Sequence, residues 1–454
     1  MAGPVVHIVG GGLAGCEAAL QLARFGLDVV VHEMRPARSS PAHRTDGLAE
    51  IVCSNSLKSA ALDTASGLLK AELDRLGCRL LAAAREAAVP AGAALAVDRE
   101  LFSARVGELL AAQPGVRVVR EEIVELPAGP APPGEAWVVA TGPLTTPELA
   151  AALERLAGRG GLHFFDAIAP TVTRESLDES RLFRAARYGK GEADYLNCAL
   201  DEPAYRAFHA ALAGAERAEV AAFDRAELFP GCQPIEEIAA SGPDSLAFGP
   251  LRPVGLRDPR TGRRPFAVVQ LRQENREGTL YGLVGFQTRL KQGEQRRVFR
   301  MLPGLEAAEF VRYGQLHRNF YLDTPRALDC RFALPSAPHV RCAGQITGVE
   351  GYVESIASGL ATAWLLAAER HGLSLPPWPG ETLLGALLSG FLFDTTAPRL
   401  APMNANFGLL PPLADPPRGR RERHLALAAR SLAALDAFLA EPAPGRLLAG
   451  PRGR

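Results

Sequence analysis

Short apolar runs of strand length and apolar positions at helical spacing alternate through the first forty residues. Residues 4–9 form a brief apolar run, PVVHIV, ahead of Gly10, and predict a buried strand. CEAALQLARFG places apolar residues at helical spacing and predicts a helix ending near Gly26. LDVVVHEM predicts a second strand with Glu33 near its end. AWVVATG (136–142) reads as another apolar strand, and HVRCAGQITGVEGYVESIASGLATAWLLA (339–367) as a strand, a glycine-spaced loop and a helix starting near Tyr352. The texture changes between these pieces. Residues 201–223 read as helix, while FAVVQLRQEN and TLYGLVGF alternate like strands. Beyond residue 376 come a predicted helix (TLLGALLSGFLF), a loop (MNANFGLLPPL) and a final helix from about Arg421.

The join between the first strand and the first helix carries chemistry. Gly10-Gly11-Gly12-Leu13-Ala14-Gly15 fits Gly-x-Gly-x-x-Gly, and Glu33 follows Gly15 by eighteen residues. In a dinucleotide-binding unit Gly10 permits the tight turn, Gly12 lets backbone approach a pyrophosphate, and Gly15 lets helix and strand pack closely. The free N–H groups of the helix start attract phosphate, and the acidic residue accepts from ribose hydroxyls. The late strand–loop–helix, with Gly344, Gly351 and Tyr352, and the Ala-Thr-Gly turn at Gly142 favour FAD over NAD as the resident nucleotide. The expected fold is α/β: a Rossmann-type FAD-binding domain of the two-dinucleotide-binding-domain flavoprotein type with an inserted α+β domain. The expected division is residues 1–175 and 331–454 for the FAD-binding domain, the latter with a helical C-terminal tail, and 176–330 for an insertion that takes the substrate.

Composition changes the picture little. Apolar content is 47% and charged content 22%, as in ordinary globular proteins. No apolar run is long enough to span a bilayer and no signal peptide is evident, so the expected location is cytoplasmic, away from membranes. Net charge is zero, yet Arg252 to Arg300 holds twelve Lys/Arg against four Asp/Glu, a basic segment of the kind that meets phosphate. The seven cysteines show no CxxC pair or Cys/His cluster, so neither a metal site nor a disulfide framework is indicated.

Cys16, Cys78, Cys330 and Cys342 read as small packing residues. Cys53, in IVCSNSLKS, and Cys232, in FPGCQPIEE, stand among small polar or turn residues and read as chemical thiols, because a thiolate beside a flavin can act as nucleophile, base or redox partner. On the residues alone the reading stops at an FAD-dependent oxidoreductase with an inserted domain.

Several strings, among them IVCSNSLKS, YLNC (195–198), FPGCQPIEE, FGPLRPVGL, VQLRQEN, GQITGVEGYVESIASG and PMNANFGLLPPL, closely resemble the folate- and FAD-dependent tRNA uracil-5-methyltransferase family along nearly the whole chain. The length suits it better than the usually longer sister family that modifies the wobble uridine. The resemblance implies 5-methyluridine formation in the tRNA T-loop, with 5,10-methylenetetrahydrofolate as one-carbon donor and FAD reduced by NADPH or NADH. It implies Cys232 as nucleophile and Cys53 as base; the reverse assignment fits the same sequence. Cys198 in the YLNC string has no role in that scheme and reads as structural. Tyr352 would stack on the pterin, and Arg272 and His317 would meet folate or RNA phosphate. Two other classes use the same flavin motifs: a small-molecule flavin oxidoreductase without an RNA partner, and a non-catalytic FAD-containing RNA-binding protein.

Overall fold

A computed structural model of the chain describes residues 5–129, 134–189, 192–219, 228 and 233–449. Five strands, Ala337–Cys342, Ala136–Val139, Val5–Val9, Asp28–His32 and Val116–Val119, lie parallel in that order, with Ala333–Leu334 antiparallel on one edge. Four of them lie in the segments predicted as strands, and parallel strands covered on both faces need such apolar composition; Val116–Val119, on the partly exposed far edge, falls outside the predicted strands. The helix Leu13–Arg24 and the late helix Tyr352–Arg370 lie against each other, both almost wholly buried. A glycine allows this approach: a β-carbon on Gly359 would stand 2.2 Å from the Ala14 carbonyl oxygen.

A second, antiparallel sheet runs in the order Leu182–Arg184, Leu196–Leu200, Ala267–Gln273, Leu280–Leu283, Thr171–Thr173 and Phe310–Arg312. One face, with Leu196, Cys198, Val269 and Leu271, packs in a separate core with Tyr205 and Phe208 of the helix Glu202–Ala213. An antiparallel ribbon of Leu162–Ala167 and Leu316–Tyr321 sets His317 opposite Asp166 where the chain passes between the two sheets.

Two predicted helices differ. The one expected over 201–223 ends at Ala213, capped by Gly214; residues 220–223 lie outside the described residues. TLLGALLSGFLF, expected as one helix, is a helical turn Leu383–Gly385, a π-helical turn Ala386–Gly390 and a 3-10 turn Phe391–Phe393. Its start is fixed by Glu72, whose buried carboxylate accepts from the Leu383 and Leu384 amides at 2.7 and 2.8 Å and from the Ser431 hydroxyl of the helix Arg420–Ala440.

Burial pushes the Glu72 carboxyl up to about 7 from its ordinary 4.5. Between those values the unfolded chain releases a proton that the folded chain keeps. The contribution is therefore full below about pH 4.5 and is lost as pH rises through 7, in total on the order of 3 kcal/mol. Glu72→Gln is expected to flatten the fall of the thermal midpoint between about pH 5 and pH 8. A fall as steep as that of the unsubstituted protein would remove Glu72 as its source.

Candidate active site

Each glycine of the N-terminal loop meets a different constraint. Gly10 has φ +107°, and a β-carbon there would lie 2.7 Å from the Ala140 carbonyl oxygen. A β-carbon on Gly15 would lie 2.0 Å from the Gly10 oxygen. Gly12 is different: its β-carbon would meet only the Ala140 oxygen, at 3.9 Å, so its outer side is open. Gly12 is also the N-cap of the first helix, with no side-chain cap and no acidic residue in the first turn. Gly10, Gly12 and Glu33 line one cavity. This open, uncapped helix start fits the pyrophosphate of FAD.

Glu33 is more engaged than its motif position implies. Its carboxylate accepts from the Gly11 amide (2.9 Å) and three times from Arg35, at the backbone amide, Nε and Nη2. These donors hold it well inside the ionised range against the opposing effect of burial. Four donors use the usual capacity of a carboxylate, so a ribose hydroxyl would take the place of an Arg35 contact.

A second cavity, of about 330 Å³, shares Leu144 with the first. Four residues singled out in the sequence line it: Cys53, Arg272, His317 and Tyr352, together with Gly351. The Tyr352 hydroxyl, at the start of the late helix, accepts from the Cys53 amide at 2.8 Å. Burial holds that phenol protonated. Arg99 donates to the Cys53 carbonyl at 2.8 Å and pairs with Glu274 at 2.6 Å. Asn55 donates to the carbonyls of Val97 and Gln273 and accepts from Arg272 Nε at 2.7 Å. The IVCSNSLKS segment is thus fastened to the late helix and to the second sheet, with its thiol half-buried in the cavity wall. Tyr352→Phe removes the acceptor of the Cys53 amide and keeps the ring; turnover is expected to fall about fivefold with FAD content unchanged, for the loss of a hydrogen bond worth ~1 kcal/mol. A rate equal to that of the unsubstituted protein would show that this contact does not position Cys53.

His317 is 9% exposed, and its Nε2 has no hydrogen-bond partner among the described residues. Burial, aided by His43, pushes its pKa down to about 4. A neutral imidazole offers a hydrogen bond rather than a charge. Sequence reading missed a set of carboxylates here. Asp166, Glu350 and Glu354 line the same cavity, and burial, with Asp166 and Glu354 nearby, raises the Glu350 carboxyl well above its ordinary value. Glu354 Oε2 is buried with no hydrogen-bond partner among the described residues, while its Oε1 accepts from the Ala405 amide and lies 3.5 Å from Lys58 Nζ. Glu350 and Glu354 flank Gly351-Tyr352 in the glycine-spaced string, so the pair of carboxylates four residues apart is itself the sequence signal for this acidic wall.

Gly142 has φ +67° and open space where a β-carbon would stand, between cavity-lining Thr141 and Pro143. Gly344 packs against Ala14, and its amide donates to Ser358. Cys232 lies outside the described residues. Cys16, Cys78, Cys198 and Cys342 are buried, and burial raises each thiol, Cys198 and Cys342 to about 12. Cys330, expected to be a packing residue, is exposed in the turn after Asp329. Among the described cysteines only Cys53 lines this cavity. A larger cleft, about 1080 Å³, lies beyond Arg99 and Glu274, and none of the sequence-predicted site residues lines it. Among the described residues no group of three His, Cys, Asp or Glu could hold a metal ion, and no helix is long and apolar enough to cross a membrane.

Residues 5–374 match the family model described as glucose inhibited division protein A. The methylenetetrahydrofolate--tRNA-(uracil-5-)-methyltransferase TrmFO of Desulforudis audaxviator is 53% identical over 446 residues, covering 98% of this chain and all of that protein. The chain belongs to the family of methylenetetrahydrofolate--tRNA-(uracil-5-)-methyltransferases. The member from Geobacter sulfurreducens is also 53% identical, over 96% of this chain and 99% of its own. Among solved structures, Aquifex aeolicus GidA superposes with a TM-score of 0.69 at 16% identity, over 98% of this chain and 75% of that one. The methyltransferase family and GidA therefore share the fold, and the FAD-binding type of α/β architecture expected from the glycine motif is the one observed.

Proposed function

We propose that this chain methylates C5 of a T-loop uridine in tRNA, drawing the one-carbon unit from 5,10-methylenetetrahydrofolate. One observation carries the reading. The cavity adjoining the dinucleotide loop brings Cys53 within one backbone hydrogen bond of Tyr352 and closes around them with Arg272 and His317. The relatives at 53% identity are named as methylenetetrahydrofolate--tRNA-(uracil-5-)-methyltransferases.

Gly10, Gly12, Gly15 and the first helix start would hold the pyrophosphate of FAD, Glu33 its ribose, and Gly142 leaves backbone open toward the ring, while Gly351, packed against Glu354, sets the start of the late helix beside it. Bound there, FAD would carry reducing equivalents from NADPH or NADH to the one-carbon unit. Uracil C5 is a weak nucleophile until a thiolate adds to C6 and places an electron pair at C5. Cys232 is assigned that addition, and C5 then takes the folate methylene. Cys53 takes the C5 proton as the folate nitrogen departs. Once the one-carbon unit has been reduced to a methyl group, the Cys232 thiolate leaves C6 and the C5–C6 double bond is restored. Tyr352 offers its ring to the pterin while its hydroxyl positions Cys53. Arg272, held by Asn55 and near Glu274 (3.7 Å), presents a fixed cation to folate or RNA phosphate, and neutral His317 donates or accepts one hydrogen bond at Nε2. The target base must leave its stack to reach such a cavity. The cytoplasm, where tRNA is found, is the corresponding location.

The test is nucleoside analysis of an unmodified tRNA transcript after incubation with the FAD-loaded protein, NADPH and methylenetetrahydrofolate. 5-Methyluridine is expected, and none when the folate is omitted. NADPH oxidation without any 5-methyluridine would overturn the reading in favour of a small-molecule flavin oxidoreductase.

A further inference from the structure

A polar track leads away from the cavity across the second sheet. Side chains alternate along the strand Ala267–Gln273, so Val269 and Leu271 enter the core while Gln270 and Arg272 share the opposite face. Gln270 accepts from Arg187 Nε at 2.8 Å and donates to Asn197 at 3.0 Å. Gln270 thus anchors Arg187 about 7 Å along the strand from cavity-lining Arg272. Arg187 Nη1 donates to the carbonyls of Arg252 and Val254 at 2.7 and 2.9 Å, which draws that loop onto the same face.

Tyr188 comes next, with φ +58° and ψ 20°, in the left-handed region that non-glycine residues avoid. Its amide donates to the Gly255 carbonyl at 2.9 Å, and its ring lies over Gly255, where a β-carbon would meet Cγ at 3.0 Å. The ring is nevertheless 65% exposed. Phe248, at the head of the same loop, is 83% exposed. Arg252, Arg257, Arg263 and Arg264 of that loop have no carboxylate partner among the described residues, whereas Arg260 is tied to Asp258 at 2.8 Å. A strained, water-facing ring among unneutralised guanidinium groups serves no core. It combines the two features that hold unstacked nucleic acid: a face for a base and cations for the backbone.

We propose that Tyr188, with Phe248 and the arginines of 252–264, binds an unstacked base and its flanking phosphates in the tRNA, at a subsite separate from the cavity that takes the target uridine. The proposal rests on the tRNA reading above. The test is equilibrium binding of an unmodified tRNA transcript to the full-length, FAD-loaded protein, with methylation assayed alongside. Tyr188→Phe keeps the ring and is expected to bind within about twofold of the unsubstituted protein. Tyr188→Gly removes the ring and suits the backbone angle, so tRNA affinity is expected to fall on the order of tenfold while the thermal midpoint holds or rises. Arg257→Ala is expected to reduce the slope of log affinity against log salt by about 0.7 to 0.9. Unchanged tRNA affinity in Tyr188→Gly, beside normal methylation, would overturn the subsite. So would an equal loss of affinity for heparin, which has no bases to stack. A wild-type protein that neither binds nor methylates tRNA would instead overturn the functional reading beneath it.

Discussion

Cys53→Ala is expected to retain FAD and tRNA binding and to lose 5-methyluridine formation by about 10²- to 10⁴-fold, the range for removing a positioned base. The substitution leaves the scaffold in place. Cys53 is held through its backbone, by Tyr352 and Arg99, and among the described residues its side chain makes only a long sulfur contact, with the Ala167 carbonyl at 3.9 Å. A trapping experiment separates the two thiols. A T-loop RNA carrying 5-fluorouridine has no C5 proton to remove, so the covalent protein–RNA adduct persists once the nucleophile has added. With methylenetetrahydrofolate and NADPH present, the adduct is expected in the unsubstituted protein and in Cys53→Ala, and absent in Cys232→Ala. An adduct lost only in Cys53→Ala would exchange the roles of the two cysteines. An adduct in both single variants would take covalent addition away from this pair.

Local constraints were legible in the sequence; convergence was not. Gly10 and Gly15 are dictated by atoms within a few residues or on the adjoining strand, and Glu33 follows at a spacing set by one helix and one strand. The cavity is assembled differently. Asn55 meets Arg272, Arg99 meets Glu274 and His317 faces Asp166, each across a long stretch of chain, and no local pattern announces such pairings. Glu17 and Glu72 illustrate the same limit. Each lies on a helix where a surface role would be the ordinary expectation, yet each is buried, capping the backbone of a distant segment: Glu17 at Arg79 and Leu80, Glu72 at Leu383 and Leu384. Hydrophobic spacing misled in the tail, where TLLGALLSGFLF has helical composition but Gly385 and Gly390 border a π-helical turn. The basic segment needed the structure to divide it. Arg289, Lys291 and Arg297 pair with carboxylates, while the 252–264 loop keeps most of its charge unpaired.

Gly12→Ala and Gly15→Ala are expected to part company, although the motif treats both as invariant glycines. At Gly12 a methyl group meets no protein atom closer than 3.9 Å, and φ is −80°, which alanine adopts freely. The apo-protein should therefore fold with an unchanged thermal midpoint. The methyl group would, however, stand at the uncapped helix start where the pyrophosphate must touch backbone, so FAD affinity should fall at least about tenfold and the yellow holoprotein should not survive gel filtration. At Gly15 the methyl group would stand 2.0 Å from the Gly10 oxygen. Helix and strand must separate to admit it, at a cost of about 1–3 kcal/mol typical of overpacking, so the apo-protein should lose stability as well as FAD. Only a ligand lying across the open side of Gly12 produces this split. A Gly12→Ala protein that binds FAD as tightly as the unsubstituted one would place the dinucleotide elsewhere, and equal destabilisation by both substitutions would mean that the loop is constrained by packing alone.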